Sequence, residues 1–241
     1  MTQLEQLQAL INKSRRIAFL GGAGVSTESG IPDFRGEKGI FAAIQSYGYP
    51  PETLLSHDFF MTHTDVFYDY YKSMMLYPDA KPNAAHFALA RLEAAGKLTA
   101  VITQNIDNLH QRAGSRNVLE LHGSVYRNHC MGCHKSYSLD QVLAQPGIPR
   151  CICGSIIKPD VVLYGEGLDN GTLSQAIQQI RQADLLMVGG TSLAVYPAAG
   201  LVDYFRGNHL VLINKGETSR DQGASLVIHQ AIGEVLGSVV A

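Results

Sequence analysis

Seven short apolar runs, rich in β-branched residues, recur along the chain between stretches of helical spacing: 17–20, 100–103, 118–121, 161–164, 185–188, 210–213 and Leu226–Ile228. Strands that are apolar on both faces and alternate with helices belong to a parallel sheet covered on both sides. The expected fold class is therefore α/β, a doubly wound parallel sheet whose ligands sit in the crevice at the carboxyl ends of its strands. The intervening helices have legible ends. Asn83 can cap a helix that stops before Gly96, and Asn170 or Thr172 can start one running toward Ala183. Leu4, Leu7 and Ile11 are spaced as one face of an amphipathic helix, so the amino-terminal segment does not read as a signal peptide.

Two segments break this rhythm. Residues 36–79 carry Phe59, Phe60, Phe67, Tyr68, Tyr70 and Tyr71 and read as a helical insertion lying over the sheet. Residues 126–156 hold all four cysteines, Cys130, Cys133, Cys151 and Cys153. The organisation expected is a nucleotide-binding domain of residues 1–35, 80–125 and 157–241, interrupted by the insertion and by a small cysteine-bearing module. No apolar run approaches the roughly 18 residues of a membrane span, and clustered cysteines without others elsewhere suit a metal in a reducing, cytoplasmic setting. A net charge of -2 gives no field for nucleic acid or an anionic membrane.

The segment Gly21-Gly22-Ala23-Gly24-Val25-Ser26 follows the first run, and its missing side chains would let backbone N–H groups approach a pyrophosphate. A dinucleotide fingerprint beginning at Gly22 would need glycine where Thr27 stands. A tight turn without a ligand would read the same way. Gly30-Ile31-Pro32-Asp33-Phe34-Arg35-Gly36 has the composition of a loop that covers a cofactor. Thr103-Gln104-Asn105-Ile106-Asp107 leaves a strand at the ligand edge, with Asn105 and Asp107 suited to a ribose or an amide. His122 directly follows another strand, where it is either a general base near neutral pH or a structural histidine.

Taken in order, these motifs, with Leu121-His122-Gly123, Gly190-Thr191-Ser192 and Val195-Tyr196-Pro197, resemble the sirtuin family in its bacterial form, from about residue 12 to the final helix. The resemblance implies a Rossmann-like domain beside a smaller zinc-binding module, and an NAD-dependent protein-lysine deacetylase that moves the acyl group to ADP-ribose and releases nicotinamide. It also implies roles. His122 matches the catalytic base, and Asn105 belongs with it at the reacting centre. Gly22, Ala23, Thr27, Phe34 and Arg35 resemble the contacts to phosphates and nicotinamide ribose, and Gln104, Ile106 and Asp107 the nicotinamide pocket. Thr191, Ser192 and Asn214 resemble contacts to phosphate and adenosine ribose, with adenine near Ile232. Val161, Val162, Leu163 and Tyr164 resemble the segment on which an acyl-lysine peptide adds as a strand. Family members that prefer acidic acyl groups carry a Tyr-x-x-Arg pair. Here Tyr68 is followed at that spacing by Tyr71, and Lys72 should point elsewhere on a helix, so neutral acyl groups, acetyl first, are expected.

Cys130-x-x-Cys133 and Cys151-x-Cys153 offer four soft ligands for a closed, structural zinc. The second pair is one residue shorter than the family's usual spacing, which leaves a weakly held ion, or His129 or His134 in place of Cys153, as alternatives. Mono-ADP-ribosyl transfer from the same nicotinamide-cleaving site, and a non-catalytic NAD sensor or zinc-ribbon binding module, are the competing functions.

Overall fold

The computed structural model describes residues 1–33 and 36–240, without the side chains of Glu37 and Lys38. Phe34 and Arg35, expected at the cofactor, lie outside the described residues. Six parallel strands form the main sheet: β1 (Ile17–Gly21), β2 (Leu98–Thr103), β3 (Val118–Glu120), β7 (Leu185–Gly189), β8 (His209–Ile213) and β9 (Leu226–Ile228), in the order β3-β2-β1-β7-β8-β9. The chain leaves β1 toward β2 on one side and returns to its other side at β7. The strand order therefore reverses between β1 and β7, the place where a doubly wound sheet opens a ligand crevice.

Alternation along β1 supplies both cores. Ile17 and Phe19 face Leu7 and Ile11 of the helix Gln3–Lys13, Leu89 of the helix Ala84–Ala94, and Leu236 of the helix Ile232–Val239. Ala18 and Leu20 face Ala176 and Ile180 of the helix Asn170–Gln182 on the opposite side. The first helix is closed by a Thr2–Glu5 capping box, and Asn83 caps Ala84–Ala94 as its sequence indicates. For Asn170–Gln182 the capping residue is Asp169, whose carboxylate accepts the N–H of Thr172, one residue before the expected start.

Two expectations need correction. Residues 161–164 are not a strand of the main sheet. Val161 ends β6 (Ile157–Val161), which pairs antiparallel with β4 (Gly123–Cys130), itself paired with β5 (Ser136–Ser138). Tyr164 instead makes an isolated parallel bridge to Ser56. An apolar β-branched run fits either setting, and the partner decides. The insertion, built of Glu37–Tyr47, Pro51–Leu54, His57–Thr62, Thr64–Tyr70 and a wide turn Tyr71–Met75, does not lie over the main sheet. Its rings pack with Val125, Leu139 and Leu163, so insertion and small sheet share one core. The small sheet runs beyond 126–156 at both ends. No helix among the described residues is long and apolar enough to cross a membrane.

His86 and His110 pack ring to ring at 4.7 Å beneath this framework, both buried. Burial pushes His86 down to about 4, and burial together with His86 pushes His110 well below the histidine range. Unfolded histidine titrates near ~6.5, so the unfolded chain takes up protons first as pH falls. Stability present above that value is lost on the way toward the folded pKa. The thermal midpoint should drop between pH 7.5 and pH 5, with His86 contributing roughly 2 kcal/mol of that loss. In His86→Gln, which keeps an acceptor for the Asn83 cap but cannot protonate, the drop should shrink; an unchanged drop would exclude His86 as a source.

Candidate functional site

The two turns at the switch point touch. Gly24 donates its N–H to the carbonyl of Gly190 at 2.8 Å, and a Cβ on Gly24 would lie 2.7 Å from the Gly190 Cα. Gly190 itself has φ +60°, which favours glycine. After β1 the chain makes two short 3₁₀ turns, Ala23–Val25 and Thr27–Ser29, in place of a long helix. Thr27 replaces the fingerprint's last glycine because no helix has to pack closely on the sheet there. Its hydroxyl donates to the carbonyl of Gly24 at 3.0 Å.

Ser26, buried at the end of the first turn, ties that turn to the one after β2. Its hydroxyl donates to Asp107 Oδ2 at 2.6 Å and accepts from Asn105 Nδ2 at 3.0 Å, while Asn105 also donates to the carbonyl of Gly22 at 3.0 Å. Asp107 Oδ1 accepts the N–H of Leu109 at 2.9 Å. Burial raises the Asp107 carboxyl, and the Ser26 and backbone hydrogen bonds oppose it. The sequence reading did not single out Ser26, although its place in the glycine-rich turn after a strand was the available signal.

His122 Nδ1 lies 3.0 Å from the carbonyl oxygen of Gln104. A carbonyl only accepts, so Nδ1 carries the proton and Nε2 is the basic nitrogen of the neutral ring. Gly123, at φ +73° and pressed against the Asp160 backbone, lets the chain turn into β4 directly after this histidine.

One cleft brings together Ala23, Ser26, Gln104, Asn105, Ile106, Asp107 and His122 with Val161, Val162, Leu163 and Tyr164. Tyr71, Met74, Met75 and Tyr77 of the insertion and Val195, Tyr196 and Pro197 complete its walls. Gly22, Thr27, Thr191, Ser192, Asn214 and Ile232 stand outside that cleft. Thr191 Oγ1 accepts from Gln104 Nε2 at 3.2 Å, Ser192 is exposed, and Asn214 follows β8 with its amide on the carbonyl of Gly216. The Ile232 side chain is buried against Gly189, so a ligand at this position would meet backbone.

The four cysteine sulfurs lie within 4.8 Å of one another, with Cys130 and Cys153 at 3.4 Å and Cys133 and Cys151 at 3.5 Å. Sulfurs bound to one tetrahedral zinc stand about 3.8 Å apart, so the shortened second pair still fits. Cys133, lowered by a backbone hydrogen bond at Lys135 but raised by the three neighbouring sulfurs, is pushed up to about 12, whereas Cys153, hydrogen-bonded by Ser155, falls to about 6. A divalent cation removes that conflict. His129 and His134 do not belong to the cluster among the described residues. Tyr137, not anticipated, points its hydroxyl at Cys151 Sγ, 3.0 Å away.

The family model described as the Sir2 family matches residues 22–197. This chain belongs to the Sir2 family. An NAD-dependent protein deacetylase of Clostridium acetobutylicum is 54% identical over 242 residues, covering 100% of this chain and 99% of the relative. Another from Staphylococcus aureus is 45% identical, covering 98% of each. Among solved structures, a Sir2 complex with a p53 peptide and NAD⁺ is 42% identical with a TM-score of 0.87, covering 99% of this chain and 97% of that one. A Sir2 complex with deacetylated p53 peptide and 3′-O-acetyl-ADP-ribose is also 42% identical with a TM-score of 0.87, covering 98% and 96%. The likeness thus extends over both parts of this Sir2 member, the main sheet and the small lobe.

Chelation of the purified Sir2 chain should release one zinc per molecule and lower its melting temperature, while most of the far-ultraviolet signal of the separate main sheet survives. Tyr137→Phe should weaken zinc retention against a chelator by about tenfold, the effect of losing an outer-shell partner. Retention equal to the parent chain would show that the hydroxyl does not support the site.

Proposed function

We propose that this chain is an NAD-dependent protein-lysine deacetylase, with His122 as its general base and Asn105 at the reacting centre. The reading rests on one observation above all: a histidine whose tautomer is set by the Gln104 carbonyl shares a cleft with the Ser26–Asn105–Asp107 network. NAD supplies an ADP-ribosyl group with nicotinamide as its leaving group, and the acetyl group ends on ADP-ribose. Asn105 and Asp107, held by Ser26, orient the nicotinamide end. His122 Nε2 takes the proton of the ribose hydroxyl that receives the acetyl group. Gly22, Ala23, Thr27, Phe34 and Arg35 serve the phosphates and nearer ribose, Gln104 and Ile106 the nicotinamide, and Thr191, Ser192, Asn214 and the backbone at Ile232 the adenosine end. The apolar walls at Ile106, Met74 and Met75 exclude water from the reacting carbon.

Val161, Val162, Leu163 and Tyr164 form the peptide wall. The N–H groups of Val162, Leu163 and Tyr164 are already donated to His122, Glu166 and Leu55. An added strand therefore takes its backbone bonds from other groups along the cleft and meets these residues chiefly through their side chains. The same reading gives residues 1–35, 80–125 and 157–241 to the cofactor, 36–79 to the insertion and 126–156 to the zinc-binding module, whose small sheet reaches out to Gly123 and Val161, and a cytoplasmic setting suits four reduced thiols. Zinc on Cys130, Cys133, Cys151 and Cys153 is structural, since four protein ligands leave no open position.

No lysine or arginine lines the cleft among the described residues, and Lys72 donates to the carbonyls of Gln145 and Gly147, away from it. Tyr71 is buried where an acidic-acyl pocket would need a cation, and burial raises its phenol far above neutrality. With NAD and one peptide in acetyl and succinyl forms, nicotinamide and deacetylated peptide should appear in equal amounts from the acetyl form. The succinyl form should react at least about tenfold more slowly, lacking one charge-assisted partner. His122→Ala should lose about 10²–10⁴-fold in rate. ADP-ribose added to the peptide with its acetyl group intact would move the assignment to ADP-ribosyl transfer.

A further inference from the structure

Glu166 joins three parts of the molecule through one carboxylate. Its Oε2 accepts the backbone N–H of Leu163 at 2.9 Å and the ammonium of Lys158 at 3.1 Å, and its Oε1 lies 2.9 Å from His57 Nδ1. Lys158 belongs to β6, His57 opens a helix of the insertion, and Leu163 sits in the peptide wall between them. The side chain is 22% exposed and Lys158 only 11%, so the pair is shielded without being sealed. Burial alone would raise this carboxyl, yet the Leu163 N–H, His57 and Lys158 hold it below its ordinary value. It is a carboxylate under working conditions.

The backbone around it is held almost group by group. Lys158 Nζ also donates to the carbonyl of Val161 at 3.0 Å, and the Glu166 N–H returns to the carbonyl of Leu163 at 2.9 Å. Tyr164 donates its N–H to Leu55 and accepts from the N–H of His57, both at 2.9 Å. The earlier end of the segment has separate anchors: Val161 pairs with Gly123, and the Val162 N–H reaches the carbonyl of His122 at 3.0 Å. From Leu163 onward, the Glu166 carboxylate hydrogen-bonds the wall to both β6 and the insertion.

We propose that Glu166 is a positioning residue for the acyl-peptide: its carboxylate fixes residues 163–165 at the spacing the peptide needs, without touching the reacting atoms. This rests on the deacetylase reading for the identity of the ligand. Because the Gly123–Val161 pairing and the Val162–His122 hydrogen bond do not pass through Glu166, losing the carboxylate leaves His122 and the Ser26 network in place. The defect is confined to peptide binding.

The test compares the parent protein, Glu166→Gln and His57→Gln, reading the Kd of a fluorescent acetyl-lysine peptide by anisotropy together with KM for peptide, KM for NAD, and kcat. Glutamine keeps an oxygen for the Leu163 N–H and loses the charge that holds Lys158 and His57. The expected result for Glu166→Gln is a peptide Kd and KM about tenfold higher, the scale of one charge-assisted hydrogen bond, with KM for NAD and kcat moved far less. His57→Gln, altered at a half-exposed position, should give a smaller rise of the same kind and serves if the first variant does not fold. Unchanged peptide binding in the variants overturns the proposal. So does a parallel loss in peptide binding, NAD KM and melting temperature, which marks a merely structural role. If the parent binds the peptide without turning it over, the deacetylase reading fails, while the Kd comparison still decides the role of Glu166.

Discussion

Gly24 and Gly190 meet backbone to backbone where the sheet changes direction, and neither position has room for a side chain. The hydrogen-bonded turns at the floor of the cleft are referred to that contact. It brings the turn after β1 against the turn after β7, so Ser26 arrives at a fixed height above the strand ends. There it can take Asp107 and Asn105 from the turn after β2 at the same time. Gln104, from that same turn, reaches Thr191 with its side chain and orients His122 with its carbonyl. Four strand ends are thereby cross-linked by short hydrogen bonds around a space without a side chain of its own. An added methyl at Gly24 or Gly190 would separate the turns before it filled anything, which is why small residues recur where chemistry would seem to ask for functional groups.

The parts of this arrangement visible in sequence are those governed by local rules. β1, β2, β3, β7, β8 and β9 each fall on an apolar run, and Asn83 caps its helix because an amide at that place can bond the free N–H groups. His122 was legible as a polar residue directly after a strand, a position that faces the ligand edge. What escaped depended on partners far along the chain. Residues 161–164 have the composition of a buried strand, yet their bonds run to His122, Leu55 and the Glu166 side chain. Glu166 stands at the end of the run 161–166 that resembles the family's peptide-binding segment, but a single acid after a glycine shows no role of its own in sequence. Its meaning comes from Lys158 and His57, the latter 109 residues away. The aromatic insertion was legible as helical and apolar, but aromatic rings pack equally well on either sheet. It is their packing with Val125 of β4, and with Leu139 and Leu163 beside it, that makes the small sheet their neighbour.

That shared core explains how a structural metal bears on a cleft it does not touch. Cys130 ends β4 and is buried with Cys151, Val142 and Ile157, the first residue of β6. The carbonyl of Ile157 also receives the Tyr68 hydroxyl from the insertion. One residue further, Lys158 turns to Glu166 and to Val161, and Val161 already lines the cleft. The distance from metal to wall is thus four residues of one strand, whose first residue is fixed by the cysteine cluster and the insertion and whose last is fixed by Gly123. A change in the cluster has no flexible linker in which to dissipate. It is passed along β6 to Val161 and the cleft, whereas the turns joined by the Gly24–Gly190 contact, held by the main sheet, lie outside that route. The cysteine cluster and Glu166 thus meet at the same end of one strand, at the neighbouring residues Ile157 and Lys158.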